Sequence, residues 1–156
     1  MSWPGGDLAL AGKRDPAAQV DGTPMTTTRT GRCCCGDATI TVEGEPEFNG
    51  ICNCSSCKKR TGSAFGWSAY FPDLAVIAKS GATHVYTGSD PANPYARHFC
   101  TRCGTTLYWK SQNFMPEFTG IAGGCFVDDP IAAPTFSAQD STRYPWVGLP
   151  ADWPKH

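Results

Sequence analysis

The chain has 156 residues, a length that suits one domain of ordinary size. Its formal net charge is −1, from 13 basic and 14 acidic residues, and the basic residues form no block. This balance argues against a partner that is a nucleic acid or an anionic membrane surface, and no apolar run approaches the ~20 residues of a membrane span.

Nine cysteines are the outlying feature of the composition. The amino-terminal stretch has no basic start and no long apolar run, so it does not resemble a secretory signal peptide. We therefore expect a cytoplasmic protein with reduced thiols, and clustered cysteines in that setting are typical of metal or redox chemistry.

The order along the chain predicts one mainly β domain behind an irregular arm. Residues 1–28 are predicted to be a disordered arm, with Met25 as a second candidate translation start. The domain covers residues 29–156. Its 17 Gly and 13 Pro residues favour turns and short strands over long helices.

Within the domain, alternation over Ala38–Val42 predicts a half-buried strand. Residues 44–50 are predicted to be a turn, and residues 58–62 a short helical turn that ends at Gly62. Prolines in the tail forbid long elements, and we expect Trp146 and Trp153 to pack this tail onto the body. Further strands are predicted at 63–71, 74–79, 83–87, 107–109 and 118–125, with a loop at 88–94.

Two separated cysteine pairs predict a closed metal site. Cys33 and Cys35 lie two residues apart, so an extended chain would point both to one face and Cys34 to the other. Cys100 and Cys103 form a zinc knuckle, in which Gly104 supplies the positive φ of the turn. Four thiolates would hold a structural zinc with no free position, and an iron site or disulfides are the alternatives.

Cys52, Cys54 and Cys57 form a second group, with three thiols in six residues. Three protein ligands leave one position of a tetrahedral zinc open, which is typical of a zinc that takes part in chemistry. Neighbouring Lys58, Lys59 and Arg60 would stabilise the net negative charge of such a site and attract an anionic ligand. One alternative is a second structural site, closed by Cys34, Cys125, His84 or His98; the other is an empty or oxidised cluster.

Three blocks closely resemble the glutathione-dependent formaldehyde-activating family, which also includes centromere protein V. The blocks are residues 31–36, 52–65 and 97–107. Seven of their eight cysteines follow the family's order, and Cys34 is the exception. The resemblance implies a β-tent fold, in which small antiparallel sheets are joined by a Cys₄ zinc. It also implies two zinc ions per chain, one held by Cys33, Cys35, Cys100 and Cys103, the other by Cys52, Cys54 and Cys57, with glutathione beside the second.

The activity that the resemblance implies is a zinc-dependent carbon–sulfur lyase reaction on an adduct of glutathione, or another small thiol, with an aldehyde. The zinc would activate the thiol, and Cys52, Cys54 and Cys57 would act as catalytic ligands. Lys58, Lys59 and Arg97 are candidates for binding substrate carboxylates. A non-enzymatic zinc module that binds a partner protein and a thiol redox or metal-buffer protein are the competing classes, and a homodimer is left open.

Overall fold

The computed structural model describes residues 27–156, which form ten strands in two sheets and one short α-helix. This agrees with the predicted mainly β class. The predicted arm at 1–28 lies outside the described residues except for Thr27 and Thr28. Across the described range no helix is long and apolar enough to cross a bilayer. The strands are β1 (Thr28–Arg32), β2 (Thr39–Glu43), β3 (Phe48–Cys52), β4 (Gly66–Pro72), β5 (Val76–Ser80), β6 (Thr83–Thr87), β7 (Tyr95–Cys100), β8 (Thr106–Ser111), β9 (Phe118–Ala122) and β10 (Phe136–Ala138); the helix is α1 (Ser55–Thr61).

The smaller sheet is antiparallel, in the order β1-β2-β5. Its central strand β2 buries Ile40 and Val42, while the threonines between them are only partly buried. This confirms the half-buried strand that the alternation predicted. Its buried face supplies one side of the core.

The larger sheet has seven strands in the order β10-β3-β4-β9-β8-β7-β6. All its pairs are antiparallel except β10 with β3, where the proline-rich tail returns and covers the backbone edge of β3. The expected β-tent fold is confirmed, with the difference that one of its sheets is large and includes a parallel pair.

The two faces of the larger sheet have different roles. One face packs Phe71, Leu107 and Ile121 against Ile40 and Val42 of the smaller sheet, and this is the hydrophobic core. Because side chains alternate along a strand, the neighbouring residues face the other way. Those residues line a cavity, which is described below.

Two local predictions differ from the structure. Strand β3 begins at Phe48, inside the predicted turn at 44–50; its Asn49 and Gly50 are poor strand formers, but Asn49 is buried and Trp67 Nε1 donates a hydrogen bond to its Oδ1. Trp146 does not pack onto the body: it is 74% exposed, and Val147 is buried in its place. The predicted helical turn is present as α1, which begins earlier, at Ser55, and is capped by Gly62 in the left-handed conformation.

Candidate functional site

The four cysteines predicted to share a metal lie together. The sulfur atoms of Cys33, Cys35, Cys100 and Cys103 are all within 4.8 Å of one another. The Cys35 sulfur is 3.5 Å from that of Cys33 and 3.6 Å from that of Cys100. Cys33 follows β1 of the smaller sheet and Cys100 ends β7 of the larger one, so this group joins the two sheets.

Both cysteine pairs of this group sit on tight turns. Gly36 N donates to Cys33 O, and Gly104 N donates to Cys100 O, with φ angles of 81° and 74° at the two glycines. The first pair was expected in extended chain, but it lies in a turn after β1 has ended. The turn brings Cys33 and Cys35 to one side and leaves Cys34 exposed, so the grouping was right and the reason for it was wrong.

In this group the pKa is lowered at Cys33 and Cys103, which favours the thiolate that binds metal, and raised to about 12 at Cys35. Thr105 Oγ1 lies 3.2 Å from the Cys103 sulfur and lowers the pKa of that thiol to about 5. Burial is the largest single effect on Cys33 and raises its pKa, but the hydrogen bonds with Ala38 N, Cys35 and Cys100 together outweigh burial, and the net shift is downward.

The other three cysteines form a second group. The sulfur atoms of Cys52, Cys54 and Cys57 lie within 4.8 Å of one another, and all three residues are partly buried. Among residues 27–156 no fourth His, Cys, Asp or Glu joins them at that spacing. The group is therefore open on one side, unlike the four-cysteine group.

Local structure explains how these three thiols meet. Cys52 ends β3, Cys54 is the N-cap of α1, and Cys57 lies in the first turn of that helix. The Cys54 sulfur accepts a hydrogen bond of 3.4 Å from Cys57 N, as an N-cap side chain does. The change from strand to helix thus folds six residues of chain around one point.

The carboxy-terminal tail holds this loop in place by hydrogen bonds to Asn53, which lies between Cys52 and Cys54 in the sequence. Asn53 is fully buried, and its Nδ2 donates to Ser137 Oγ at 2.9 Å and to Ala138 O at 3.0 Å. Thr142 Oγ1 donates in turn to Asn53 O. These contacts link residues more than 80 positions apart in sequence, so the spacing of the cysteines gave no indication of them.

Charges bias the protonation of the triplet. The hydrogen bond with Cys52 is the largest effect on Cys57, and together with the nearby Arg60 guanidinium it lowers the pKa of that thiol to about 5. The same hydrogen bond, together with burial, raises the pKa of Cys52. The thiolate is therefore favoured at Cys57 and disfavoured at Cys52.

The triplet forms part of the wall of a cavity of about 690 Å³. The rest of the wall comes from the outer face of the larger sheet, from β10 at one edge to β6 at the other, and from the loops beside it. Tyr70, Trp109, Phe114, Tyr86 and Tyr95 supply most of its aromatic surface. A concave, mostly apolar space with a few polar groups is the usual form of a small-molecule site.

Two arginines lie in this wall. The Arg97 guanidinium stacks over the rings of Tyr86 and Tyr95, and its Nη2 donates to Tyr95 Oη at 3.3 Å. The Arg60 guanidinium lies 4.6 Å from the Trp109 ring centroid. Its Nη2 is buried and has no hydrogen-bond partner among the described residues. Two cations therefore stand in a mostly apolar cavity, which Asp90 also lines, and one of these cations has an unused donor.

The three residues predicted to bind substrate carboxylates do not all lie at the cavity. Arg97 lines the cavity, whereas Lys58 and Lys59 do not. Lys58 Nζ instead donates to Thr142 O and lies 3.9 Å from the Tyr144 ring centroid, so it helps to hold the tail. Arg60 was predicted only as one of three cations beside the triplet and not as a substrate-binding residue, because in sequence it is one of three consecutive basic residues and only the helix geometry turns it inward.

The residues named as alternative fourth ligands lie elsewhere. His84 is exposed and packs against Phe99, and His98 stacks on Tyr108 with its Nδ1 3.2 Å from Thr83 Oγ1. Cys125 is buried in the core, as expected of a small apolar residue, and burial raises its pKa to about 12. Neither Cys34 nor Cys125 belongs to either cysteine group.

Comparison with known proteins gives matches of three kinds. Residues 28–140 match the family model described as "Glutathione-dependent formaldehyde-activating enzyme". A Fusarium vanettenii protein named "Putative glutathione-dependent formaldehyde-activating enzyme" is 30% identical over 92 residues, which cover 58% of this chain and about half, 48%, of that protein. A crystal structure of a Rhodobacter sphaeroides protein has the same fold, with a TM-score of 0.50 and 22% identity over 67% of this chain and 97% of that one.

The family match covers both cysteine groups and the strands that carry them. The chain therefore belongs to the glutathione-dependent formaldehyde-activating enzyme family.

Proposed function

We propose that this chain is a zinc-dependent enzyme that adds a small thiol, glutathione in the first instance, to an aldehyde, and that cleaves the same carbon–sulfur bond in reverse. One observation carries the proposal: the open three-cysteine group lies in the wall of a cavity large enough for a small molecule. A purely structural zinc module needs neither the open group nor the cavity.

Both cysteine groups fit zinc. Four sulfurs at about 2.3 Å from a tetrahedral zinc lie about 3.8 Å from one another. The spacings of 3.5 and 3.6 Å in the four-cysteine group are close to that value. The triplet offers three sulfurs within the same limit of 4.8 Å, so we propose two zinc ions per chain, one structural and one at the cavity.

A zinc ion bound by Cys52, Cys54 and Cys57 would supply a coordination position at which an incoming thiol loses its proton. The reaction itself is an addition. The thiol sulfur forms a bond to the aldehyde carbon, the π bond of the carbonyl breaks, and the proton of the thiol ends on the new hydroxyl group. Cleavage reverses each of these changes, which makes the enzyme a carbon–sulfur lyase.

The chain's own residues bind and orient the substrate. Arg60 has an unused buried donor beside the triplet, and Arg97 is the cross-strand partner of Trp109, over which the Arg60 guanidinium lies, so we assign both to carboxylate groups of the thiol. The aromatic wall excludes water and fixes the ligand between these two cations. Because Lys58 and Lys59 lie outside the cavity, their predicted role in substrate binding has less support than that of Arg97.

A reduced compartment suits this assignment. All nine cysteines are free thiols, and thiols persist in this form in the cytoplasm. We therefore propose a cytoplasmic enzyme that uses the thiols present there.

Native mass spectrometry tests the proposal directly, by counting zinc and glutathione bound to each chain. We expect two zinc ions and one glutathione in the native protein, and one zinc ion without glutathione in Cys54→Ser. Cys34→Ser is the matched control: Cys34 is an exposed cysteine outside both groups, so this variant should keep both zinc ions. A Cys54→Ser protein that retains two zinc ions and glutathione would refute the assignment.

Activity requires a second measurement. The exchange between formaldehyde, glutathione and their adduct can be followed by NMR exchange spectroscopy, which separates catalysis from the spontaneous reaction. We expect the native protein to accelerate exchange and Cys54→Ser to leave it at the spontaneous rate. Exchange that is equally fast with and without the native protein would show that it is not an enzyme for this pair.

A further inference from the structure

We propose that the adduct taken by this cavity carries a large apolar group, preferably aromatic, next to its sulfur, so that the aldehyde is bulkier than formaldehyde. This inference rests on the proposed function and concerns its substrate class. The arginines account for the carboxylates of a thiol, but a one-carbon aldehyde leaves most of the aromatic wall without a role.

The aromatic wall lies close to the reacting position. Arg60 links the two, because its guanidinium lies 4.6 Å from the Trp109 ring centroid while its Nη2 and the Cβ of Cys57 lie 2.6 and 3.2 Å from the position that a Cβ at Gly66 would take. Tyr70 packs edge-to-face with both Trp109 and Phe114, with ring centroids 6.0 Å apart in each pair. A group attached to a sulfur at the triplet would therefore meet these rings.

Part of this apolar surface is exposed to water. The cavity-lining residues Phe48, Tyr86 and Phe114 are 44%, 48% and 53% exposed. Large apolar side chains exposed together around a concave site mark a surface that binds an apolar ligand. A hydroxymethyl group is too small and too polar to cover them.

The loop that carries Phe114 is held in an uncommon conformation. Met115 lines the cavity and has a φ of 52°, which non-glycine residues seldom adopt. The loop is fixed on both sides, because Phe114 N donates to Ser111 Oγ at 3.1 Å and Phe118 N donates to Met115 O at 3.0 Å. Backbone strain of this kind clusters where a loop must present side chains to a ligand.

The volume of the cavity also favours an adduct with a bulky group on its sulfur. A cavity of about 690 Å³ is in the range that encloses a drug-sized molecule. The carboxylates of the thiol pair with Arg60 and Arg97 on either side of Trp109, and the apolar group of the aldehyde packs against Tyr70 and Phe114.

A matched pair of stable analogues tests the inference. S-methylglutathione and S-benzylglutathione share the tripeptide and differ only in the group on sulfur, so they represent adducts of a one-carbon and an aromatic aldehyde. Titration calorimetry of the zinc-loaded protein gives the affinity of each. Burial of the benzyl ring should make S-benzylglutathione bind roughly tenfold tighter or more.

Two variants locate the effect. Phe114→Ala should reduce the preference for the benzyl analogue at least threefold, and because Phe114 is half exposed the variant is expected to fold. Leu74→Ala removes an even more exposed apolar side chain outside the cavity and should leave the preference unchanged.

The outcomes separate this inference from the proposed function. If both analogues bind with affinities within threefold of each other, the inference is wrong while the thiol site stands. If neither the analogues nor glutathione bind, the proposed function fails and the inference fails with it. A preference that persists in Phe114→Ala would also refute the assignment of the wall.

Discussion

Replacing Arg60 by Gln separates binding from stability at the candidate site. The guanidinium lies 4.6 Å from the Trp109 ring centroid, and its Nη2 is buried without a hydrogen-bond partner among residues 27–156. Nη2 also lies 2.6 Å from the position that a Cβ at Gly66 would take, so the absence of a side chain there makes room for it. The side chain is thus held in place while one of its donors is unused.

The two contributions to stability oppose each other. Losing the stacked cation costs about 0.5–2 kcal/mol, whereas removing a buried unpaired donor gains about 1–3 kcal/mol. The free energy of unfolding of Arg60→Gln should therefore stay within about 2 kcal/mol of the native value. A hydrogen bond to a charged ligand group is worth about 1.5–3 kcal/mol, so glutathione affinity should fall at least about tenfold.

Chemical denaturation and titration calorimetry measure these two quantities on the same samples. Arg102→Gln is the control, because Arg102 is an exposed arginine paired with Asp37, outside the cavity, and surface ion pairs contribute little. Native-like glutathione affinity in Arg60→Gln, or an equal loss in Arg102→Gln, would contradict the reasoning.

Three further predictions test other parts of the molecule. Gly81→Ala should lower the free energy of unfolding by at least about 1–3 kcal/mol, because Gly81 has a φ of 82° and a Cβ there would lie 1.9 Å from a backbone oxygen. Gly148→Ala is the control: a Cβ there would have nothing within 4 Å, so this variant should change the free energy of unfolding little in the same denaturation experiment. In the zinc-loaded protein, iodoacetamide should modify exposed Cys34 first and buried Cys125 last, as peptide mapping would show, and the reverse order would contradict the burial of the core. Hydrogen bonds from Arg143 and Ser137 hold the pKa of Asp140 below its usual range. The contribution of Asp140 to stability is therefore present above about pH 4 and is lost as the pH falls. The free energy of unfolding of Asp140→Asn, measured from pH 6 to pH 3, should depend less on pH than that of the native protein.

The sequence predicted the cysteine groups well because their geometry is local. A turn that ends in Gly36 or Gly104 and a strand that runs into a helix at Cys54 need only a few residues each, and their spacing is visible in the sequence. The half-buried strand β2 was predictable for the same reason, since its alternation is a property of five consecutive residues. Among the cysteine groups, however, the grouping of Cys33 with Cys35 was predicted from an extended geometry that the chain does not adopt.

The cavity could not be predicted in the same way. Its wall combines β3, β4, β7 and β8, which become neighbours only through the order of the larger sheet. No local pattern sets the approach of Arg60 to Trp109, which are 49 positions apart. For the tail, the sequence predicted a contact that does not form. Trp146 was expected to pack the tail onto the body, but the tail is held mainly by hydrogen bonds around Asn53 and by burial of Val147.

The two cysteine groups are supported by different parts of the molecule, so a change in one part can affect one group and not the other. The four-cysteine group joins the sheets beside the core, so its loss should loosen the whole fold. The triplet depends on the end of β3, on the short helix α1 and on the tail contacts to Asn53. A change confined to the tail can therefore alter the geometry of the open thiols while the core and the four-cysteine group remain intact, which makes the proline-rich tail part of the candidate site.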